Sequence, residues 1–283
     1  MTVPQIFDRT LIARNLARRP EERDDFVTRL VVTDLEERLA TLSRKIGKAL
    51  VLGPDLEALP AHGRTAVAPF SFKRLATLSP KATDGREPPQ LPDSGYDLIV
   101  SLLDLQVVND VPGYLAQLTR ALAPDGLLLA AALGGESLTE LRNAFLTADT
   151  EITGGAYARV APFIPLRDGG GLLQRAGLAL PVADIETHVV RYSSPLALMR
   201  ELKSLGAANP LFDRPGRMVT RHLLAAACEA YSMVAGDHDG RVRATLEILW
   251  LSGWAPHESQ QKPLRPGSAK VSLTKVLGDK TEE

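Results

Sequence analysis

Apolar positions fall into two rhythms along this chain. Short continuous runs at Ala49–Leu52, Thr65–Ala68, Tyr96–Ser101 and Leu127–Leu133 are bounded by Gly, Pro or Asp and read as buried strands. Between them the spacing is helical: Phe26, Leu30, Leu35, Leu39 and Leu42, then Val111, Leu115, Leu118 and Leu122, then Leu138, Leu141 and Phe145. Pro20-Glu-Glu-Arg-Asp-Asp25 gives the first of these helices an acidic start, and Ser137-Leu-Thr-Glu140 matches a capping box at the third. Gly154-Gly155 and Gly169-Gly-Gly171 bracket a loop that carries Arg159, Phe163 and Arg167, and a helix around Leu172-Leu173 ends near Gly177. Val182–Tyr192 partly alternates as a strand. Pro195–Ala235 is helical in two pieces separated by Gly206-Ala-Ala-Asn-Pro210, and Ala244–Leu251 is the last strand. Ser79–Ser94, with four prolines, reads as a loop.

Strand, helix and strand joined by tight turns imply right-handed crossovers and a parallel sheet, hence an α/β fold. The sheet is organised around Lys48-Ala-Leu-Val-Leu-Gly-Pro-Asp-Leu-Glu-Ala-Leu59. Gly53-Pro54 stops the apolar run, and Asp55 is placed to cap a short helix through Leu59. An apolar strand that runs through a glycine turn into a helix is the usual opening of a nucleotide-binding half, where helix N–H groups meet anionic ligand atoms. The further glycines that let backbone and ligand approach are here Pro54, Asp55 and Glu57, so a plain buried strand and turn stands as the alternative.

Composition narrows the classes without choosing among them. The 283 residues, 45% hydrophobic and 24% charged, suit one large domain or two small ones, and a net charge of -1 gives no reason to expect nucleic acid. Cys228 is the single cysteine, so no internal disulfide forms and a reducing, cytoplasmic setting is expected. No run approaches the roughly 18 apolar residues of a membrane-spanning helix. Ile6 to Arg19, with Arg9, Arg14, Arg18 and Arg19, is basic and mildly amphipathic, suited to packing on the domain or to peripheral contact with an acidic membrane. No two of the five histidines stand at i+3 or i+4, so no helical metal site is expected, and Asp237-His-Asp239 reads as a solvated turn. In the tail, Trp254, His257, Glu258, Ser259 and Gln260 gather a ring, an imidazole and hydrogen-bonding groups. That makes His257 and Glu258 the candidate acid–base residues, against a purely structural role in an irregular segment.

Several separated segments resemble one family. Gly134-Gly-Glu-Ser-Leu-Thr-Glu-Leu-Arg142, Gly154-Gly155, Ala161-Pro-Phe163, Leu172-Leu-Gln-Arg-Ala-Gly177, Gly253-Trp254, His257-Glu-Ser-Gln260 and Gly267-Ser-Ala269 are similar, in order, to the methyltransferase-fold assembly factors of mitochondrial complex I and their alphaproteobacterial relatives. The likeness runs from about residue 5 to about residue 277, and the wider group includes the malonyl-carrier methyltransferase of biotin synthesis. The resemblance implies a Rossmann-like, seven-stranded methyltransferase sheet with an N-terminal helical region and a helical insertion before the last strand. It divides a single domain, 1–283, into N-terminal helices (1–45), a cofactor-side half (46–135) and a substrate-side half (136–283) with the insertion at 195–235. It implies S-adenosylmethionine as cofactor, bound by Gly53, Asp55, Pro69, Ser101, Leu102, Leu103 and Gln106. The expected activity is transfer of a methyl group to a protein or a carrier-linked acid. The alternatives are arginine hydroxylation of a respiratory complex I subunit, or a non-catalytic assembly chaperone on the same fold. The chain departs from the family's cofactor loop where Asp55 and Glu57 replace glycines, where Val51 replaces an acid on the first strand, and where Pro69 stands near the ribose-binding acid. Loss of such an acid removes charged hydrogen bonds of about 1.5–3 kcal/mol.

Overall fold

The computed structural model describes residues 4–78, 90–216 and 218–261; the loop read at Ser79–Ser94 lies largely outside them, as does Gly267-Ser-Ala269. Among the described residues, seven strands form one sheet in the order β2-β3-β1-β4-β5-β7-β6. They are β1 (Ala49–Gly53), β2 (His62–Arg64), β3 (Pro69–Ala76), β4 (Tyr96–Leu102), β5 (Leu122–Leu133), β6 (Ala179–Tyr192) and β7 (Val242–Trp254). β3, β1, β4 and β5 run parallel, whereas β7 is antiparallel to both β5 and β6. This is the expected Rossmann-like methyltransferase sheet.

β1, β4 and β5 are apolar on both faces because helices cover both, whereas β3 is largely exposed. Leu50, Leu52, Ile99, Leu128 and Ala130 face one side, under α3 (Val111–Ala121) and α5 (Leu166–Arg175). Val51, Leu98, Val100, Leu129 and Trp250 face the other, under α2 (Phe26–Ala40). The β1–β4 register is fixed at its start by Asp97, whose carboxylate accepts from Gly47 N (2.8 Å) and Lys48 N (2.9 Å).

The N-terminal helices are α1 (Arg9–Ala17), capped by the Asp8 carboxylate on Leu11 N, and α2, capped by Asp25 on Thr28 N. The acidic stretch from Pro20 is therefore irregular, and only its last residue acts as a cap. α4 (Thr139–Thr153) follows β5, while α6 (Pro195–Ser204) and α7 (Arg221–Ala235) lie between β6 and β7 as the helical insertion.

Three local expectations are corrected. Thr65–Ala68 is a turn, closed by Thr65 N donating to Ala68 O (3.0 Å), and the strand is instead β3, beginning at Pro69. The glycines at 169–171 lie inside α5, where a Cβ on Gly169 would stand 2.7 Å from Leu251 Cδ2, so the missing side chain lets the helix settle on β7. The capping box at Ser137 does not form. Leu138 takes the N-cap position at φ 57°, and the Glu140 carboxylate instead accepts from Thr245 N (3.0 Å) and Thr245 Oγ1 (2.5 Å) of β7. Ser137 Oγ likewise accepts from Glu247 N (2.9 Å), so a local helix signal serves a long-range tie.

A Cβ added to Gly53 would meet the Leu102 carbonyl oxygen at 2.6 Å and Leu59 Cδ2 at 3.0 Å. Gly53→Ala should therefore destabilise the fold by about 1–3 kcal/mol, read as a lower urea midpoint at unchanged slope. An unchanged midpoint would show that the two strand ends approach less closely than described.

Candidate functional site

The carboxyl ends of β3, β1, β4 and β5 reach one edge of the sheet, with Gly53 opposite Ala76 and Leu102 opposite Ala131. A cavity of about 560 Å³ opens over that edge. Its floor includes Leu102, Leu103 and Leu133; Ile12, Leu16, Phe26 and Val31 of α1 and α2 wall one side, and Leu141, Leu198 and Leu202 wall the other. This is the place where open α/β sheets bind ligands. The walls are chiefly aliphatic, so each polar group on them carries weight.

Of the residues expected to hold a cofactor, Asp55, Leu102, Leu103 and Gln106 line this cavity. Asp55 caps a three-residue 3-10 turn, Leu56–Ala58, and its carboxylate pairs with Arg19 just beyond α1 and stands 3.7 Å from Arg23. Gly53 sits at the end of β1, and its carbonyl accepts from Thr77 N (2.8 Å). Leu103 turns the chain at φ 52°, an unfavourable conformation for leucine, with its N–H on Ala131 O (2.8 Å). Gln106 donates from Nε2 to Leu103 O (2.7 Å), while its Oε1 is buried with no partner among the described residues. Ser101 is buried behind the edge, its Oγ 3.3 Å from the Tyr114 hydroxyl.

The remaining candidates lie elsewhere. Pro69 pairs with Arg64 at the start of β3, the end of the strand away from Ala76, because the strand begins where it was expected to stop. His257 and Glu258 follow Trp254, which pairs with Leu127 near the opposite edge of the sheet. There the His257 ring nitrogen bonds Ser259 Oγ (2.8 Å), and Gln260 donates to Asp125 (2.9 Å) and Ala255 O (2.8 Å), while Trp254 stacks under Arg44. That segment secures irregular backbone and does not reach the cavity. The Cys228 thiol is half-buried on α7, and burial pushes its pKa up, away from nucleophilic use. Asp237 and Asp239 are both engaged by Arg191.

Several polar groups at the site were missed or only partly seen in the sequence. Asp104, last residue of the Ser101–Asp104 segment, is fully buried, and it accepts from Thr77 Oγ1 (2.7 Å) and the Tyr114 hydroxyl (2.7 Å). Burial raises its pKa, against the lowering pull of the nearby Arg9 guanidinium and of the two hydroxyl donors. Arg9 also donates to Val107 O (3.0 Å) and Thr77 O (3.1 Å), and Arg19 pairs with Asp55. Two of the four arginines of the basic segment thus point inward, leaving Arg14 and Arg18 exposed. Arg159 lines the cavity and forms a two-pronged pair with buried Asp149 (2.6 and 2.7 Å). At the far wall the Tyr192 hydroxyl donates to Glu201 Oε1 (2.7 Å). No helix among the described residues is long and apolar enough to cross a membrane.

These residues do not make the cradle that S-adenosylmethionine needs. No α-helix follows β1 to offer a row of N–H groups, and the freedom of Gly53 is taken up by its contact with the β4 backbone. The turn presents the Asp55 carboxylate, held by Arg19 and near Arg23, in place of a glycine backbone that a ligand could approach closely. The strand end next to β1 carries Thr77, already committed to Asp104.

No family model matches the chain. It is 32% identical over 284 residues to human "Arginine-hydroxylase NDUFAF5, mitochondrial", covering 95% of this chain and 82% of that protein. The Danio rerio protein of the same name is 32% identical over 263 residues, covering 88% of this chain and 81% of that one. The malonyl-[acyl-carrier protein] O-methyltransferase of Halorhodospira halophila is 35% identical over 182 residues, or 64% of this chain and 60% of that protein. A solved Haemonchus contortus phosphoethanolamine N-methyltransferase in complex with S-adenosyl-L-methionine matches with TM-score 0.39 at 10% identity, covering 88% of this chain and 57% of that one, too weak a likeness to bear on the site.

The raised pKa of Asp104 has a sign that can be measured. The folded protein holds this proton more tightly than the unfolded chain, so the contribution of Asp104 to stability is full below the ordinary carboxylate pKa and is lost as pH rises through the raised one. Asp104→Asn cannot titrate there. Unfolding titrations across that interval should show the wild type losing stability relative to the variant as pH rises. A difference that is flat, or that grows the other way, would mean the carboxyl ionises as it does in water.

Proposed function

The chain belongs to the family of the arginine-hydroxylase NDUFAF5, and from that footing we propose that it modifies an arginine side chain of a protein, the protein being a subunit of respiratory complex I. The observation that carries this reading is the Oε1 of Gln106, buried without a partner among the described residues, on the wall of a chiefly aliphatic cavity. A buried acceptor without a donor is costly, and the ligand that relieves it must bring N–H or O–H groups on an apolar body. Arginine does both: three methylenes suit the leucine and valine walls, and a planar guanidinium carries five donors and no acceptor. A carboxylate or phosphate ligand would bring acceptors to an atom that already lacks a donor. The malonyl-carrier relatives match a smaller part of the chain, and the Asp55 turn argues against methyl transfer from a nucleoside cofactor.

In a strain lacking this chain, mass spectrometry of the complex I subunits should show an arginine one oxygen atom lighter than in the parent, restored by a plasmid copy. An identical pattern in both strains would sink the hydroxylation reading. Calorimetric titration of the purified chain with S-adenosylhomocysteine should give a Kd weaker than about 1 mM. Micromolar binding would return methyl transfer to first place.

A further inference from the structure

The charged groups that line the cavity are Arg19, Asp25, Asp55, Arg159, Glu201 and Lys203. Most are accounted for within the fold. Arg19 pairs with Asp55, Arg159 is held by Asp149, and Asp25 caps α2 through Thr28 N (3.0 Å). Lys203 is exposed at the rim. Glu201 is different. It lies on the helical insertion among Leu198, Leu202 and Leu205 of the cavity wall, and among the described residues it makes no ion pair. Its side chain's one hydrogen bond among the described residues comes from the Tyr192 hydroxyl at the end of β6, which uses one lone pair of Oε1 and leaves the other, with both of Oε2, open to a second partner.

Glu201 is only partly exposed, and among the described residues a single phenol donates to its carboxylate, so a cation entering the cavity meets an anion with acceptor capacity to spare. The phenol matters because it holds the carboxylate in a single orientation, which a planar two-pronged partner requires. Resting on the reading of the cavity as an arginine site, we infer that Glu201, oriented by Tyr192, is the carboxylate that recognises the substrate guanidinium. Glu201 is then the specificity-determining residue and Tyr192 a positioning residue. A lysine, with a compact ammonium, fills one prong only, and a citrulline, isosteric but neutral, loses the charge.

The test uses the full-length protein and two small probes, Nα-acetyl-arginine amide and its citrulline counterpart, with affinities read by calorimetry or NMR titration. The wild type should prefer the arginine probe at least about tenfold, the size expected for one charge-assisted pair of about 1.5–3 kcal/mol. Glu201→Gln should abolish that preference by weakening arginine binding far more than citrulline binding, and Tyr192→Phe should reduce the preference severalfold. Thermal midpoints establish that each variant is folded, and if Glu201→Gln does not fold, Tyr192→Phe decides. A wild type that does not prefer arginine overturns the assignment, as does a folded variant that keeps the full preference. Glu201-dependent arginine binding with no oxygen gained by any complex I subunit would retire hydroxylation and leave the recognition site standing. Arginine hydroxylation indifferent to Glu201 would do the reverse.

Discussion

A carboxylate buried at the end of a central strand must find donors, and in this fold the search of Asp104 for donors gathers four elements. Thr77 reaches it from beyond β3, Tyr114 from α3 and the charge of Arg9 from α1, while Asp104 itself continues β4. The edge where a nucleotide would lie in a related sheet is thereby tied from within. Arg9 also bridges the carbonyls of Thr77 and Val107, so α1 is fastened across the strand ends by hydrogen bonds as well as by the apolar contacts of Ile12 and Ala13. The Arg19–Asp55 pair repeats the arrangement one strand over.

The consequence is a site that keeps the location common to its fold class but changes its chemistry. The cavity stands over the carboxyl ends of the parallel strands, as sheet topology requires. Its walls, however, come largely from the N-terminal helices and the helical insertion, elements outside the alternating core, and those walls are chiefly aliphatic with a few charged and polar groups set among them. Fold gives the address, and under the proposed reading the side chains at positions 55, 106 and 201 would decide what can be received there.

Much of the sheet was legible because buried parallel strands leave continuous apolar runs, as at Tyr96–Ser101 and Leu127–Leu133. Where reading failed, long-range contacts had overridden local signals. Ser137 and Glu140 have the spacing of a capping box but bond to β7, far away in sequence. Pro69 looked like a stop because proline usually ends a strand, yet it opens one at the sheet's periphery, where its missing N–H costs nothing in the ladder. The site itself was half legible. Gly53 stands out from strand order and Asp55 and Gln106 from the family resemblance, whereas Glu201, proposed above, is an ordinary helical glutamate until β6 brings a tyrosine to it. His257 drew attention by its chemistry, and nothing local to it could reveal that an antiparallel β7 carries it to the far edge.

Among the described residues β7 is the last strand in sequence, yet it lies between β5 and β6. A nascent chain emerging from the ribosome therefore has β5 and β6 with no partner between them, and both edges stay unpaired until the closing segment threads into the gap. Thr245 and Glu247, which anchor the start of α4, arrive on that same segment. The binding chamber is thus a late product of synthesis, and a ribosome-bound fragment that stops short of β7 would expose two adhesive strands that chaperones must shield.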